Sequence, residues 1–230
     1  MALLSKKETD GDEDYTADFH FPTSNNLLII FTRNPELGKC KTRLAATVGD
    51  ESALEIYRFL LKHTVSITEK LNADKQVHYS ENVRKNDLWN DHFAKKLQVG
   101  DDLGERMQHA FQQGFKDGYK NIIIIGSDMY DLNQQDLEQA FKALNEHNYV
   151  VGPAEDGGYY LLGMKSLNSD VFKNKPWGTD TVLADTLKDL EGEDVKLLDT
   201  RNDVDYYEDI KDIEAFQPFL PKNFIHSQRV

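Results

Sequence analysis

Apolar positions along this chain follow two rhythms that alternate from one segment to the next. Continuous apolar runs mark the first. "LLIIFTR", from Leu27, is short, apolar and followed by a Pro/Gly loop, so it predicts a buried strand. In "NIIIIGSD" four consecutive isoleucines, Ile122 to Ile125, leave no alternation between core and water. Both faces of that strand must be covered, which predicts a central position in a sheet. "KQVHYS", "YVVGPA", "YYLLGM" and "VKLLDT" predict further strands. The second rhythm is helical. Leu54, Tyr57, Leu61, Val65 and Thr68 recur at helical spacing after Asp50, an N-cap candidate. Met107, Ala110, Phe111 and Phe115 share one face of "LGERMQHAFQQGFKDGY". "NQQDLEQAFKALNEH" and "TDTVLADTLKDL" read as helices, the latter capped by Thr179 or Asp180, and "DVDYYEDIKDIEAF" as the start of a last one.

Strands alternating with helices predict an α/β fold whose mainly parallel sheet is covered on both faces. The "DGG" between two adjacent strands fits either a local hairpin or a longer excursion. Residues 1–25 carry little periodic apolar pattern and are read as an acidic, solvated tail, with simple disorder favoured over pinning by Phe19 and Phe21; the folded domain is expected over 26–230.

Charge narrows the partners. The 230 residues carry a formal net charge of −13, which argues against a nucleic-acid surface but leaves room for a small phosphorylated ligand in a local basic pocket. No apolar run approaches the roughly 20 residues of a membrane span, so no membrane insertion is expected. The first residues turn acidic at once, unlike a signal peptide. Cys40 is the single cysteine, so no internal disulfide forms, in keeping with a reducing, cytoplasmic setting. Oligomeric state is left open by the sequence.

Against that acidic background, "RNPELGKCKTR" places Arg33, Lys39, Lys41 and Arg43 in one short stretch just after the first strand. In open α/β sheets ligands collect beyond the carboxyl ends of the strands. Pro35 and Gly38 bend the stretch, Gly38 permits close backbone approach, and the cations suit phosphate. The spacing is not that of the nucleotide-triphosphatase loop, and a solvated basic turn is the bland alternative. Asp128 ends the isoleucine strand behind Gly126 and Ser127, where a carboxylate suits a hard divalent cation; a turn aspartate is the alternative. "GPAEDGGYYLLG" holds more glycines than a hairpin requires, which fits a backbone lying against a sugar or base, with Asp156, Gly157 and Gly158 as contacts. Trp177, before Thr179, reads equally as a core anchor and as a ligand-facing lid. The acids of "DTRNDVDYYED" alone read as a solvated helix start.

The order of these segments resembles the nucleotide-diphospho-sugar transferase (GT-A) fold, a three-layer sandwich with a mixed, mainly parallel sheet. More narrowly, "NPELGKCKTRL", "GDDLGERM", "GSDMYDL", "GPAEDGGYYLLG", "WGTDTV" and "DVDYYEDI" resemble the DUF2064 group of GT-A-type transferases found beside radical-SAM/selenodomain genes, over roughly residues 27–214. The resemblance implies that Lys39, Lys41 and Arg43, with Arg33 and Gly38, hold nucleotide phosphates, Lys39, Arg43 and Asp128 serving catalysis. Gly104, Arg106 and Ser127 would lie beside the nucleotide. Asp156, Gly157, Gly158, Trp177 and Thr179 would face the substrate. Asp128 and Asp205 would hold Mg²⁺ or Mn²⁺. Three positions in two segments depart from the family pattern: Tyr130 replaces a proline, and Tyr206-Tyr207 replace Thr-Pro. The implied activity is metal-dependent transfer from a nucleotide sugar or NTP to an unknown acceptor. Nucleotidyl transfer with release of pyrophosphate, and nucleotide binding without turnover, stand as alternatives.

Overall fold

The computed structural model describes residues 22–225. Its centre is a seven-stranded sheet in the order β3-β2-β1-β4-β6-β5-β7. The strands are β1 (Asn26–Thr32), β2 (Asp74–Tyr79), β3 (Phe93–Leu97), β4 (Asn121–Ile125), β5 (Tyr149–Pro153), β6 (Tyr159–Met164) and β7 (Val195–Leu197). Strand β6 runs antiparallel to both its neighbours, and every other pairing is parallel. The isoleucine strand is β4, buried at all five positions in the middle of the sheet. The "DGG" segment closes a local hairpin between β5 and β6, with a register shift at Gly152/Pro153.

Helices cover both faces: α1 (Thr42–Val48), α2 (Asp50–Thr68), α3 (Leu103–Lys116), α4 (Gln134–Glu146), α5 (Val182–Asp189) and the short α6 (Lys222–Ile225). Core residues of α2 and α4 pack with Leu28, Ile30, Ile123 and Ile125 on one face. Residues of α3 pack with Leu27, Ile29, Ile122 and Ile124 on the other. A third cluster joins the outer side of α1 and α2 to Val204, Ile210, Phe216 and Leu220 of the C-terminal segment. That segment is therefore stapled across the first two helices, and the stapling sets its approach to the sheet edge. Among the described residues no helix is long and apolar enough to cross a membrane.

Four local expectations are corrected. The second half of the basic stretch is helix α1, with Lys41 as its N-cap, and Gly49 at φ 86° separates α1 from α2. Asp50 is thus the first residue of α2 rather than its cap. At helix α5 the N-cap position falls to Thr181, which makes no side-chain capping bond, and not to Thr179 or Asp180. After Val204 the chain forms two 3₁₀ turns, Tyr207–Asp209 and Glu214–Phe219, instead of a continuous helix. There the Asp209 carboxylate accepts from the backbone N–H of Asp205 and Tyr206, and Pro218 interrupts further helix. Strand β3 was not expected at all. The Phe19 and Phe21 anchors lie outside the described residues. Just ahead of β1, the Asn25 carbonyl accepts from the N–H of Lys120 and Asn121.

Candidate active site

Parallel strands deliver their carboxyl ends to one edge, where the segments after β1, β4, β5 and β7 meet. The segment after β1 is moored first. The buried Asn34 accepts from the N–H of Glu81 and Asn82 through Oδ1 and donates to the Asn82 carbonyl at 2.8 Å. Tyr57 of α2 accepts from the Arg33 N–H at 2.9 Å. These bonds fix the start of the basic stretch to the rest of the edge, so its side chains are presented from a held backbone.

Its four cations then diverge. Lys41 reaches inward: its Nζ donates to Asp128 Oδ2 at 2.8 Å and to Asp205 Oδ1 at 2.9 Å. Arg43 Nη1 donates to the other oxygen of Asp205 at 2.9 Å, and its guanidinium lies over the Tyr206 ring. Lys39 points elsewhere, pairing with Glu36 and Glu81 on the surface. Arg33 is exposed, with its guanidinium outside the carboxylate group. Gly38 takes φ 72°, a left-handed turn that suits glycine.

Asp128 and Asp205, 77 residues apart, are brought together by the returning C-terminal segment, whose Val204 N–H donates to the Asp128 carbonyl at 3.3 Å. Asp203 joins them. Ligand oxygens of Asp128, Asp203 and Asp205 all lie within 4.8 Å of one another. Sequence reasoning passed over Asp203, although its signal was present: it stands two residues before Asp205, on the other side of the buried Val204. Burial, together with the charges of Asp128 and Asp205, pushes Asp203 up to about 6. Burial works the same way on Asp205, but Lys41 and Arg43 outweigh it and hold that carboxyl below its ordinary value. For the Lys41 ammonium, burial works against the charge and the two carboxylates reverse it, so its pKa is raised.

Two clefts share Asp156 and Asp203. One, of about 240 Å³, is walled mainly by apolar groups including Phe31, Met107, Tyr159 and Trp177. The other, of about 200 Å³, is polar and includes Arg43, Asp205 and Tyr206. Trp177 lines the apolar cleft and packs on Gly104, where an added Cβ would lie 2.7 Å from the indole. Thr179 and Gly158 line that cleft as well, and Asp156 accepts from the Gly158 N–H at 2.9 Å. Tyr159 is in the same wall, and among the described residues its hydroxyl has only Met107 Sδ, at 3.8 Å, as partner.

Other candidates sit away from the carboxylates. Ser127 is buried in a hydroxyl network with Tyr57 and Thr32. Arg106 donates to the Gly100 carbonyl at 2.9 Å at the start of α3. Gly157, at φ 85°, packs against the Asp180 backbone. The two departures from the family pattern have packing roles. Tyr130 lies in an aromatic nest with Phe216, Phe59 and His63, at ring separations of 4.8, 5.7 and 5.2 Å. It ties the Asp128 loop to the C-terminal segment. Tyr207 packs edge-on against Phe224.

Three carboxylates with no nitrogen or sulfur donor suit a hard divalent ion. Metal–oxygen bonds of about 2.0–2.6 Å let one ion hold oxygens up to roughly 5 Å apart, and the observed spread falls within that reach.

Comparison with known proteins agrees with this architecture. A candidate nucleotide-diphospho-sugar transferase of Desulfovibrio desulfuricans G20 superposes with a TM-score of 0.77 at 34% identity, over 82% of this chain and 86% of that one. The fold extends to remote structures. The 4-diphosphocytidyl-2C-methyl-D-erythritol synthase of Anaerococcus prevotii DSM 20548 gives a TM-score of 0.54 at 9% identity, over 84% and 93% of the two chains. Rv0371c of Mycobacterium tuberculosis H37Rv, in a complex with manganese, gives 0.51 at 11%, over 81% and 96%. No protein of curated function matches in sequence. Residues 63–179 match the family model described as "Uncharacterized protein conserved in bacteria (DUF2064)". With half its length under that model and the Desulfovibrio relative across most of the remainder, the chain is a member of the DUF2064 family, built on the nucleotide-diphospho-sugar transferase fold.

Proposed function

We propose that this protein is a metal-dependent transferase that takes a sugar from a nucleotide sugar. The observation that carries the reading is the convergence of Asp128, Asp203 and Asp205 with Lys41 and Arg43 at the sheet edge, beside two clefts. Mg²⁺ or Mn²⁺ held by the three carboxylates would supply electrostatic stabilisation of charge developing on the diphosphate. The chain's own residues do the rest. Arg43 and Lys41 offer charge-assisted bonds to phosphate oxygens. Asp156 is assigned to substrate hydroxyls, since its carboxylate lines both clefts without belonging to the triad. Trp177 and Tyr159 close off the apolar cleft and keep water from the reacting carbon. In the transfer, the bond between the sugar's anomeric carbon and the diphosphate breaks, and the diphosphate keeps the electron pair. The acceptor hydroxyl oxygen bonds to that carbon, and its proton passes to the departing diphosphate.

Sugar transfer is favoured by the cleft chemistry. Among the described residues lining the apolar cleft there is no lysine, arginine or histidine, so a phosphate acceptor would enter without a countercharge. Lys41 and Arg43, the two cations at the carboxylates, support the second reading, nucleotidyl transfer from an NTP, because a triphosphate carries more charge. Relatives of the same fold are consistent with either: the Desulfovibrio protein by its sugar-transferase description, the Anaerococcus enzyme by its cytidyl product.

The deciding experiment is a thermal-shift screen of NTPs and nucleotide sugars with and without Mn²⁺, followed by product analysis on the hits. A ligand at a hundredfold its Kd stabilises by about 2.7 kcal/mol, which a melt reads easily. Release of nucleoside diphosphate supports sugar transfer, and pyrophosphate supports nucleotidyl transfer. Binding without either product would return the chain to the class of nucleotide-binding proteins.

A further inference from the structure

Lys41 stands where phosphate binding alone does not explain it. Its ammonium bonds to Asp128 Oδ2 and Asp205 Oδ1, two of the three carboxylates that compose the oxygen cluster. The side chain is only 6% exposed, so it is inserted between them rather than laid across a surface. Its backbone is held at φ 49°, ψ 49°, a left-handed conformation that a non-glycine residue keeps only when its surroundings enforce it. Buried Cys40 and Leu44 flank it, and Arg43 occupies the remaining oxygen of Asp205. A carboxylate cluster on its own would repel itself; here a lysine from the opposite end of the sequence fills the gap.

The ammonium occupies Asp128 Oδ2 and Asp205 Oδ1, so a divalent ion drawn to those carboxylates competes with it for oxygens of the cluster. The ion needs oxygen contacts of about 2.0–2.6 Å, which would bring a double positive charge within a few ångströms of Nζ in a partly buried setting. We propose that Lys41 is an internal stand-in for the divalent cation. It neutralises Asp128 and Asp205 while no ion is bound, leaves when one enters, and then pairs with the phosphates of the incoming ligand. The inference rests on the metal-and-nucleotide reading above and adds an order to it. A metal ion alone must evict Lys41 to a place with no anion. With a diphosphate present, the displaced ammonium gains a new partner. Metal and diphosphate therefore bind with positive coupling, and Lys41 is the residue that couples them.

The test uses the full chain with Mn²⁺ as probe, read by electron paramagnetic resonance, alone and with inorganic pyrophosphate. Lys41→Met should bind Mn²⁺ alone more tightly than the wild type, by a factor in the range of about 5–150 expected of coupled sites. It should also lose most of the tightening that pyrophosphate confers. Lys41→Arg keeps a cation in place and should gain no Mn²⁺ affinity. If Lys41→Met binds Mn²⁺ no better while the wild type still binds it with pyrophosphate, the stand-in role is overturned and the metal site survives. If no protein binds Mn²⁺ under any condition, both readings fall. Removing Lys41 strips Asp128 of its lysine and leaves Asp205 to Arg43 alone, which threatens the fold, so the wild type is tested independently by amine acetylation and mass spectrometry. Saturating Mn²⁺ alone should raise the labelling of Lys41 severalfold; unchanged labelling overturns the proposal without any variant.

Discussion

Of the four cations that follow β1, two enter the carboxylate cluster and two stay outside it, and this division carries a prediction. Lys39 is a surface partner of Glu36 and Glu81 with 58% of its side chain exposed, where ion pairs contribute little. Arg43 holds Asp205 and stacks on Tyr206, so it is already oriented at the edge of the polar cleft. Arg43→Ala should weaken binding of the nucleoside diphosphate by about 1.5–3 kcal/mol, the worth of a lost charged bond. Lys39→Ala should cost less than about 1 kcal/mol. Titration calorimetry on the two variants checks this, and equal losses would place Lys39 in the phosphate site after all. At this scale the sequence was legible where chemistry is local. Asp128 announced itself at the end of an apolar strand, and the cations by contrast with the acidic background. Which cations turn inward, and that Asp203 joins Asp205, depends on how the last segment folds back over α1 and α2, and neighbouring residues do not encode that.

Among the elements, the hairpin turn after β5 sets the position of the cleft wall. Gly157 occupies a left-handed turn at φ 85°, and a Cβ there would lie 2.2 Å from the Asp180 carbonyl. Its own carbonyl accepts from the Leu183 N–H at 2.9 Å, so turn and α5 are stitched together. Gly178 has nearly the same φ, 83°, but open space around its Cβ. The pair separates backbone strain from collision. Gly178→Ala should cost about 1 kcal/mol from conformation alone, and Gly157→Ala well over about 2 kcal/mol. Urea unfolding midpoints measure both, and a Gly157 variant no weaker than the Gly178 one would remove the stitching argument. Elements with strong rhythm were readable: β4, α3 and α4 each show one uninterrupted pattern. Strand β3 was not, because its lysines at 95 and 96 suit an exposed sheet edge rather than a core. Helix α1 buries only Leu44 and Val48 over seven residues, too short a span for a period to show.

Over the whole molecule, the alternation of strands and helices was enough to fix a covered, mainly parallel sheet, whereas the reversed β6 depends on pairing between distant strands. One consequence of that covering is a pH dependence of stability. His78 lies on β2 with its ring stacked on Phe31 and its Nε2 bonded to the Gln76 amide oxygen at 3.1 Å. Burial, with Lys96 and His109 as nearby cations, pushes its pKa down to about 3. An unfolded chain takes up this proton near pH 6.5, and the folded chain does not. The stability linked to His78 is therefore complete above about 6.5 and lost as pH falls from there towards 3, amounting to about 2 kcal/mol between pH 7.5 and 5. Asp203 acts with the opposite sign. Its folded value is raised to about 6, so the folded chain takes up that proton first and gains stability as pH falls through 6. The overall slope mixes the two, and the informative quantity is a difference. Urea unfolding of wild type and His78→Gln at pH 7.5 and 5.0 should show the wild type losing about 2 kcal/mol more than the variant over that interval. The variant's amide has no proton to take up, while Asp203 contributes equally to both proteins and cancels. Parallel losses in the two proteins would mean that His78 is protonated inside the fold, and that the sheet face it occupies admits water and a counterion.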